Sequence, residues 1–314
     1  MKKKAIIISI KGLKLTHKEC SLLANEKPWG LILFKRNIKS LNQVKILIRN
    51  IKKLSKNKNF PILIDEEGIN VSRLRNIITH NTSANYFGNL YKINNKASIQ
   101  IYKSYLSSLC KNLRNIGINI NTIPVLDILS KNTNKIIGNR SFSDNKEIVK
   151  KLGKITIQKC LSHKIISVMK HIPGHGHGTT DSHVKMPKVN LSENELNKTD
   201  FYPFKSNPAK IAMTAHILYS KIDAKNVATF SKKIIQKIIR KKIGFKGILM
   251  SDDISMKALK YDLITNANKS LEAGCNLVLY CGGNINDNLK LIKSVPYIDK
   301  FTSKKTSEIY KFLR

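Results

Sequence analysis

The chain has 314 residues, with 57 Lys and Arg against 20 Asp and Glu, for a formal net charge of +37. A composition 41% hydrophobic and 25% charged argues against wholesale disorder, and the length suits one large α/β domain. The charge raises a basic nucleic-acid-binding protein as a rival function. The lysines, however, are spread through the chain among Asn and Ile rather than gathered with aromatics into a stripe, so no specific nucleic acid is expected as a partner.

The opening "MKKKAIIISIKGLKL" has the lysines and isoleucines of a secretory leader, yet its apolar run ends at Lys11 with no small-residue cleavage site. Residues 5–10 therefore read as a first strand. Further short β-branched runs follow at 30–34, 60–65, 117–122, 166–171, 210–216, 247–253 and 275–281. Helix-period segments lie between them, among them 40–56, 99–115 and 231–244, and a terminal helix is predicted from about Pro296 onward. Eight strands alternating with helices predict a single-domain (β/α)8 barrel over 1–314, although a doubly wound open sheet has the same periodicity. No run approaches the ~18 apolar residues of a membrane span. A cytoplasmic protein with no membrane partner is expected. The five cysteines are scattered without a CxxC pair, which reads as reduced, buried thiols.

Asp65, Lys170, His171, His216, Asp252 and Asp253 fall at or just past the ends of these runs, the positions that a parallel barrel gathers on its catalytic face. The segment "KHIPGHGHGTTDSH" (170–183) holds four of the eight histidines. Its glycines and proline leave no regular element to fix metal geometry, and no phosphate-loop pattern is present, so no metal and no cofactor are expected. Asp181 and His183, two residues apart, suit a different chemistry. The carboxylate fixes one imidazole nitrogen and leaves the other for proton transfer. In "MSDDISM" (250–256), Asp253 fits a helix cap, whereas Asp252 at the strand end points into the barrel mouth as a candidate nucleophile.

Taken together, "KHIPGHG", "DSH" and "SDDISM" resemble the bacterial β-N-acetylhexosaminidases of glycoside hydrolase family 3. The stretches "DEEGINVSR" (65–73), "PVLDI" (124–128) and "IGNRSF" (137–142) agree in the same order. The resemblance implies Asp252 as nucleophile, His183 as general acid/base and Asp181 as its partner, with Asp65, Arg73, Arg140, Lys170 and His171 binding the sugar. It further implies a monomer that removes terminal β-linked N-acetylglucosamine from peptidoglycan fragments during cell-wall recycling, a peptidoglycan-derived amino sugar being its partner. A family β-glucosidase or a phosphorylase is the nearest alternative. His175 and His177 match no catalytic position and are expected only to shape the loop. In "DEEGINV" the family's second glycine and the residue after it are replaced by Ile69 and Asn70, which puts the shape of that loop in question.

Overall fold

The structure, a computed structural model, describes residues 2–130, 137–178 and 186–314. Its strands in chain order are β1 (Lys4–Ile8), β2 (Pro28–Leu33), β3 (Ile62–Ile64), β4 (Ile120–Asn121), β5 (Ile166–Ile172), β6 (Lys188–Val189), β7 (Ile211–Thr214), β8 (Leu218–Tyr219), β9 (Ile248–Asp253) and β10 (Leu277–Leu279). Eight of them close a parallel barrel in the order β1-β10-β9-β7-β5-β4-β3-β2, which decides between the barrel and the open sheet. All eight predicted runs are barrel strands. The short parallel pair β6-β8 lies outside the barrel and was not anticipated, because two-residue strands leave no periodic signal.

Around the barrel run α1 (His17–Asn25), α2 (Leu41–Leu54), α3 (Ala84–Ile93), α4 (Asn95–Ile116), α5 (Lys146–Ser162), α6 (Glu193–Lys198), α7 (Leu263–Ala273), α8 (Ile285–Ser294) and α9 (Lys300–Leu313). A π-helical segment, Ile234–Lys242, stands where a helix was predicted over 231–244. The polar residues before these helices explain their starts: Ser40, Asn94, Asn145, Asp262 and Asn284 each accept backbone N–H bonds of the first turn. The terminal helix begins at Lys300 rather than near Pro296 because Asp299 caps it at Thr302 N. The first strand stops at Ile8 because the next carbonyls are taken by side chains, Ser9 O by Asn288 and Ile10 O by Arg36 and Asn37.

Alternation along the strands sorts the core into two shells. Ala5, Ile7, Leu63, Ile120, Ile166, Val168, Ile211, Met213, Ile248, Met250, Leu277 and Leu279 pack into one cluster, the barrel interior. Their strand neighbours, such as Ile62, Ile64 and Met169, pack outward against helices. The helix α9 closes the N-terminal end of the barrel. Its Ile309, Tyr310 and Leu313 join the interior cluster, and Thr306 Oγ1 accepts from the buried Trp29 indole at 2.8 Å. The opposite end is left for the site.

Gly88 in α3 shows how closely the outer shell approaches the site. A methyl group there would lie 1.7 Å from the carbonyl oxygen of Phe142, two residues beyond Arg140. Gly88→Ala is therefore expected to destabilise the fold by about 3 kcal/mol through forced backbone movement. Thermal unfolding measures this, and an unchanged Tm would contradict the packing described.

Candidate active site

The inward parity of the strands, continued past their apolar layers, selects the side chains at the barrel mouth. After Leu63 in β3 comes Asp65; after Ile120 in β4, Thr122; after Ile166 and Val168 in β5, Lys170; after Ile248 and Met250 in β9, Asp252; after Leu277 and Leu279 in β10, Cys281. Asp65, Lys170, Asp252 and Cys281 line a cavity of about 400 Å³, together with Glu67, Arg73, Arg140, His171 and His175. Apolar Val71, Ile137, Met213 and Leu279 share the wall with the amides of Asn70 and Asn139. This is a polar pocket on the face where parallel barrels carry out their chemistry.

One side is a web of alternating charges. Arg73 Nη2 donates to Asp65 Oδ2 at 3.0 Å, and Lys170 Nζ lies 3.4 Å from Asp65 Oδ1, 2.9 Å from Thr122 Oγ1 and 2.6 Å from Glu67 Oε1. Thr122 also donates to Asp65. Arg140 grips Glu67 with two bonds, Nε to Oε2 at 2.7 Å and Nη2 to Oε1 at 2.9 Å. Burial alone would raise both acids. The cations outweigh it: Lys170 and Arg73 hold Asp65 well below the usual carboxylate range, and Arg140 with Lys170 lowers Glu67 to about 2. Both therefore present carboxylate oxygens, acceptors for hydroxyl groups, at neutral pH.

His171 extends the site next to Lys170. Its Nδ1 sits 2.7 Å from Asp127 Oδ2, while its backbone N–H and that of His175 both donate to Asp127 Oδ1, at 3.2 and 2.7 Å. Asp127 is fully buried, and although desolvation opposes its ionisation, His171 and the His175 amide keep it low. With the carboxylate accepting at Nδ1, the ring's Nε2 is the nitrogen left for a ligand.

Asp252 stands half-way round the barrel from Asp65, since β9 and β3 are four strands apart in either direction. Its Oδ1 accepts from the Asp253 amide at 2.8 Å. Burial pushes its pKa up, but the His171 and His216 imidazoles, the Asp253 amide and Lys170 together bring it below the ordinary value. Asp253 goes the other way, raised by burial. It is used locally, accepting from Ser255 N and Oγ and from Cys281 N. His216 is held between Thr229 Oγ1, at 2.7 Å, and the carbonyl of Asp253, at 3.0 Å. Of the six polar strand endings, four thus face the cavity, while His216 and Asp253 support its floor.

The histidine-rich segment divides in the structure. His177 Nδ1 pairs with Asp200 at 2.5 Å, a bond that ties down the loop. His175, expected to be loop structure rather than a ligand, is 3% exposed and forms part of the cavity wall. Asp181 and His183 lie outside the described residues. Among the described residues no group of three or more His, Cys, Asp or Glu side chains is arranged to hold a metal ion, and no helix is long and apolar enough to cross a membrane. All five cysteines are free.

Sequence reasoning assigned no role to Glu67, Thr122 or Asp127. Glu67 carried a signal, an acid in the same run as Asp65. Asp127 stood in the quoted "PVLDI", but its partner His171 is 44 residues away, and nothing local announces that pairing.

Comparison with known proteins adds a second line of evidence. Residues 2–304 match the glycosyl hydrolase family 3 N-terminal domain. A β-hexosaminidase of Actinobacillus succinogenes is 32% identical over 305 residues, covering 94% of this chain and 87% of its own length. One from Neisseria gonorrhoeae is 34% identical over 283 residues, covering 88% and 77%. Among solved structures, NagZ from Neisseria gonorrhoeae in complex with N-trifluoroacetyl-D-glucosamine superposes with a TM-score of 0.90 at 29% identity, covering 100% of this chain and 90% of that one. A family 3 β-N-acetylglucosaminidase from Paenibacillus gives a TM-score of 0.86 at 25% identity, covering 98% and 60%.

Proposed function

The chain belongs to glycosyl hydrolase family 3, and on that premise we propose that it is a retaining exo-β-N-acetylglucosaminidase working through a covalent glycosyl-enzyme on Asp252. The observation that carries the reading is the division of the cavity. A half-buried, ionised Asp252 on β9 faces a pre-assembled set of donors and acceptors just past β3 and on β5: Asp65, Arg73, Lys170 and His171. Such an arrangement suits one sugar ring held by its hydroxyls with its anomeric carbon turned to a carboxylate.

In the first step Asp252 attacks the anomeric carbon, and His183 gives its proton to the leaving oxygen as the glycosidic bond breaks. In the second, neutral His183 takes a proton from water, the resulting nucleophile attacks the same carbon, and the carboxylate of Asp252 departs. Asp181 fixes the tautomer of His183. Asp65 and Glu67 accept from ring hydroxyls, and Arg73, Arg140, Lys170 and His171 Nε2 donate to hydroxyl or acyl oxygens. These steps use side chains of the chain and one water molecule. The domain runs over residues 1–314, and the biological substrate is GlcNAc-1,6-anhydro-MurNAc, with or without peptide, met in the cytoplasm by a monomer.

Turnover of an aryl N-acetyl-β-glucosaminide beside the matching aryl β-glucoside, with and without phosphate, tests the reading. Free N-acetylglucosamine in both buffers and a strong preference for the N-acetyl substrate are expected. Sugar 1-phosphate as the main product, or preference for the glucoside, would overturn it.

A further inference from the structure

Three consecutive acids leave β3, and the middle one turns its back on the cavity. Asp65 and Glu67 face the site cations, whereas Glu66 is 0% exposed and points into the loop that follows. An ionised carboxylate placed there is costly unless hydrogen bonds replace its water. Four donors surround it: Ser72 Oγ at 2.5 Å, His80 Nε2 at 2.6 Å, and the backbone amides of Arg73 and Leu74 at 2.9 and 3.0 Å. Behind His80, its Nδ1 lies 3.0 Å from the hydroxyl of Tyr105 on α4. With Nε2–H donating to Glu66, Nδ1 accepts from that hydroxyl. Asn121 holds the Glu66 peptide from both sides, accepting from its N–H at 3.0 Å and donating to its carbonyl at 2.9 Å.

We propose that Glu66 is a positioning residue, which with His80 and Tyr105 clasps residues 66–74 in the shape that presents Asp65, Glu67 and Arg73 to the sugar. The two amides it holds belong to Arg73, whose guanidinium pairs with Asp65, and to its neighbour Leu74. This is also the loop in which Ile69 and Asn70 replace the second glycine and its neighbour in the family pattern. Apart from the clasp, it is tied by Glu67 N–H and Gly68 N–H to Val71 O, at 2.8 and 3.3 Å, and by Ile69 N–H to Thr82 O at 3.1 Å. The clasp fastens the far end of the loop, where Arg73 sits, to β3 and α4.

The activity readout rests on the function proposed above. Glu66→Ala is expected to lower kcat/KM about 100-fold, with a raised KM as well as a lowered kcat, because the sugar-binding groups lose their register. Mere loss of folded protein would lower kcat alone. Glu66→Gln should stay within about 5-fold of wild type. The amide oxygen still accepts from the two backbone N–H groups, and its NH₂ donates to His80 once that ring switches tautomer. In an Arg73→Ala background the further cost of Glu66→Ala should shrink to about 3-fold, since the clasp acts chiefly through Arg73, whose amide it holds. Tyr105→Phe, which leaves the carboxylate in place, should raise KM about 3-fold.

Hydrogen exchange reads the clasp without any turnover: amide protection at Arg73 and Leu74 should fall in Glu66→Ala and Tyr105→Phe while the barrel strands keep theirs. Wild-type KM in both variants, an undiminished loss in the Arg73→Ala background, or unchanged exchange would overturn the clasp. Lack of glycosidase turnover by the wild type would instead overturn the proposed function and leave the exchange result to decide the clasp.

Discussion

Asp252→Ala is expected to lower kcat/KM for an aryl N-acetyl-β-glucosaminide by at least ~10⁴-fold, with the fold intact. The magnitude follows from what the side chain does. In the proposed mechanism it is the carboxylate that bonds to the anomeric carbon, and a methyl group leaves nothing on β9 to do so. Because its pKa is lowered, the folded state favours the carboxylate, so its removal should cost some thermal stability at neutral pH, a small effect beside the loss of activity. A small anion such as azide, entering the vacated space, should restore turnover and yield the α-configured adduct, since attack then comes once instead of twice. The sign of the pH dependence follows from the lowered pKa. Asp252 is ionised above that value, so its contribution is present at neutral pH and lost as the pH falls through a point below the ordinary aspartate range, ~3.9. Measurable wild-type rates in Asp252→Ala without an added anion would remove Asp252 from the mechanism.

His183→Ala should show a loss that depends on the leaving group. With an aglycone that departs poorly as its anion, such as a sugar or simple alcohol, the first step needs the proton, and a loss of ~10³-fold is expected. With dinitrophenolate, which departs without help, the first step should survive. The remaining deficit then lies in hydrolysis of the glycosyl-enzyme, visible as a burst followed by slow turnover and relieved by azide, which needs no general base. A loss of equal size across leaving groups would show that His183 does not move the proton. The expectation rests on the Asp181-Ser182-His183 spacing and on the family resemblance.

Much of this site is legible in the sequence, for a physical reason. A parallel barrel buries both faces of its strands, so its strands appear as short β-branched runs, and the polar residue that ends each run on the inward parity must surface at the mouth. Asp65, Lys170 and Asp252 were found that way, each two residues past an interior apolar side chain. Parity also explains the partial miss. Asp253 and His216 end their runs too, but they serve the floor, accepting from Ser255 and Cys281 or bridging Thr229 to Asp253.

What could not be read were pairings across the chain. Arg140 and Glu67 are separated by 73 residues, Asp127 and His171 by 44, and each pair is set by the closure of the barrel rather than by local pattern. The crowd of histidines likewise drew attention as a cluster, yet the fold assigns its described members three separate tasks. His171 is aimed by Asp127, His175 walls the cavity, and His177 is bound to Asp200. A run of three acids showed nothing of its internal division, in which two line the cavity and one is bonded to His80 in the loop that follows.

In the proposed mechanism Asp252 carries the sugar between two displacements. A slow substrate with fluorine in place of the 2-acetamido group and a good leaving group should let the glycosyl-enzyme accumulate, so that mass spectrometry of the digested protein locates it. One added glycosyl mass is expected on the peptide that contains Asp252, absent from Asp252→Ala. A glycosyl mass on any other residue, or turnover that inverts the anomeric configuration with no adduct, would contradict it.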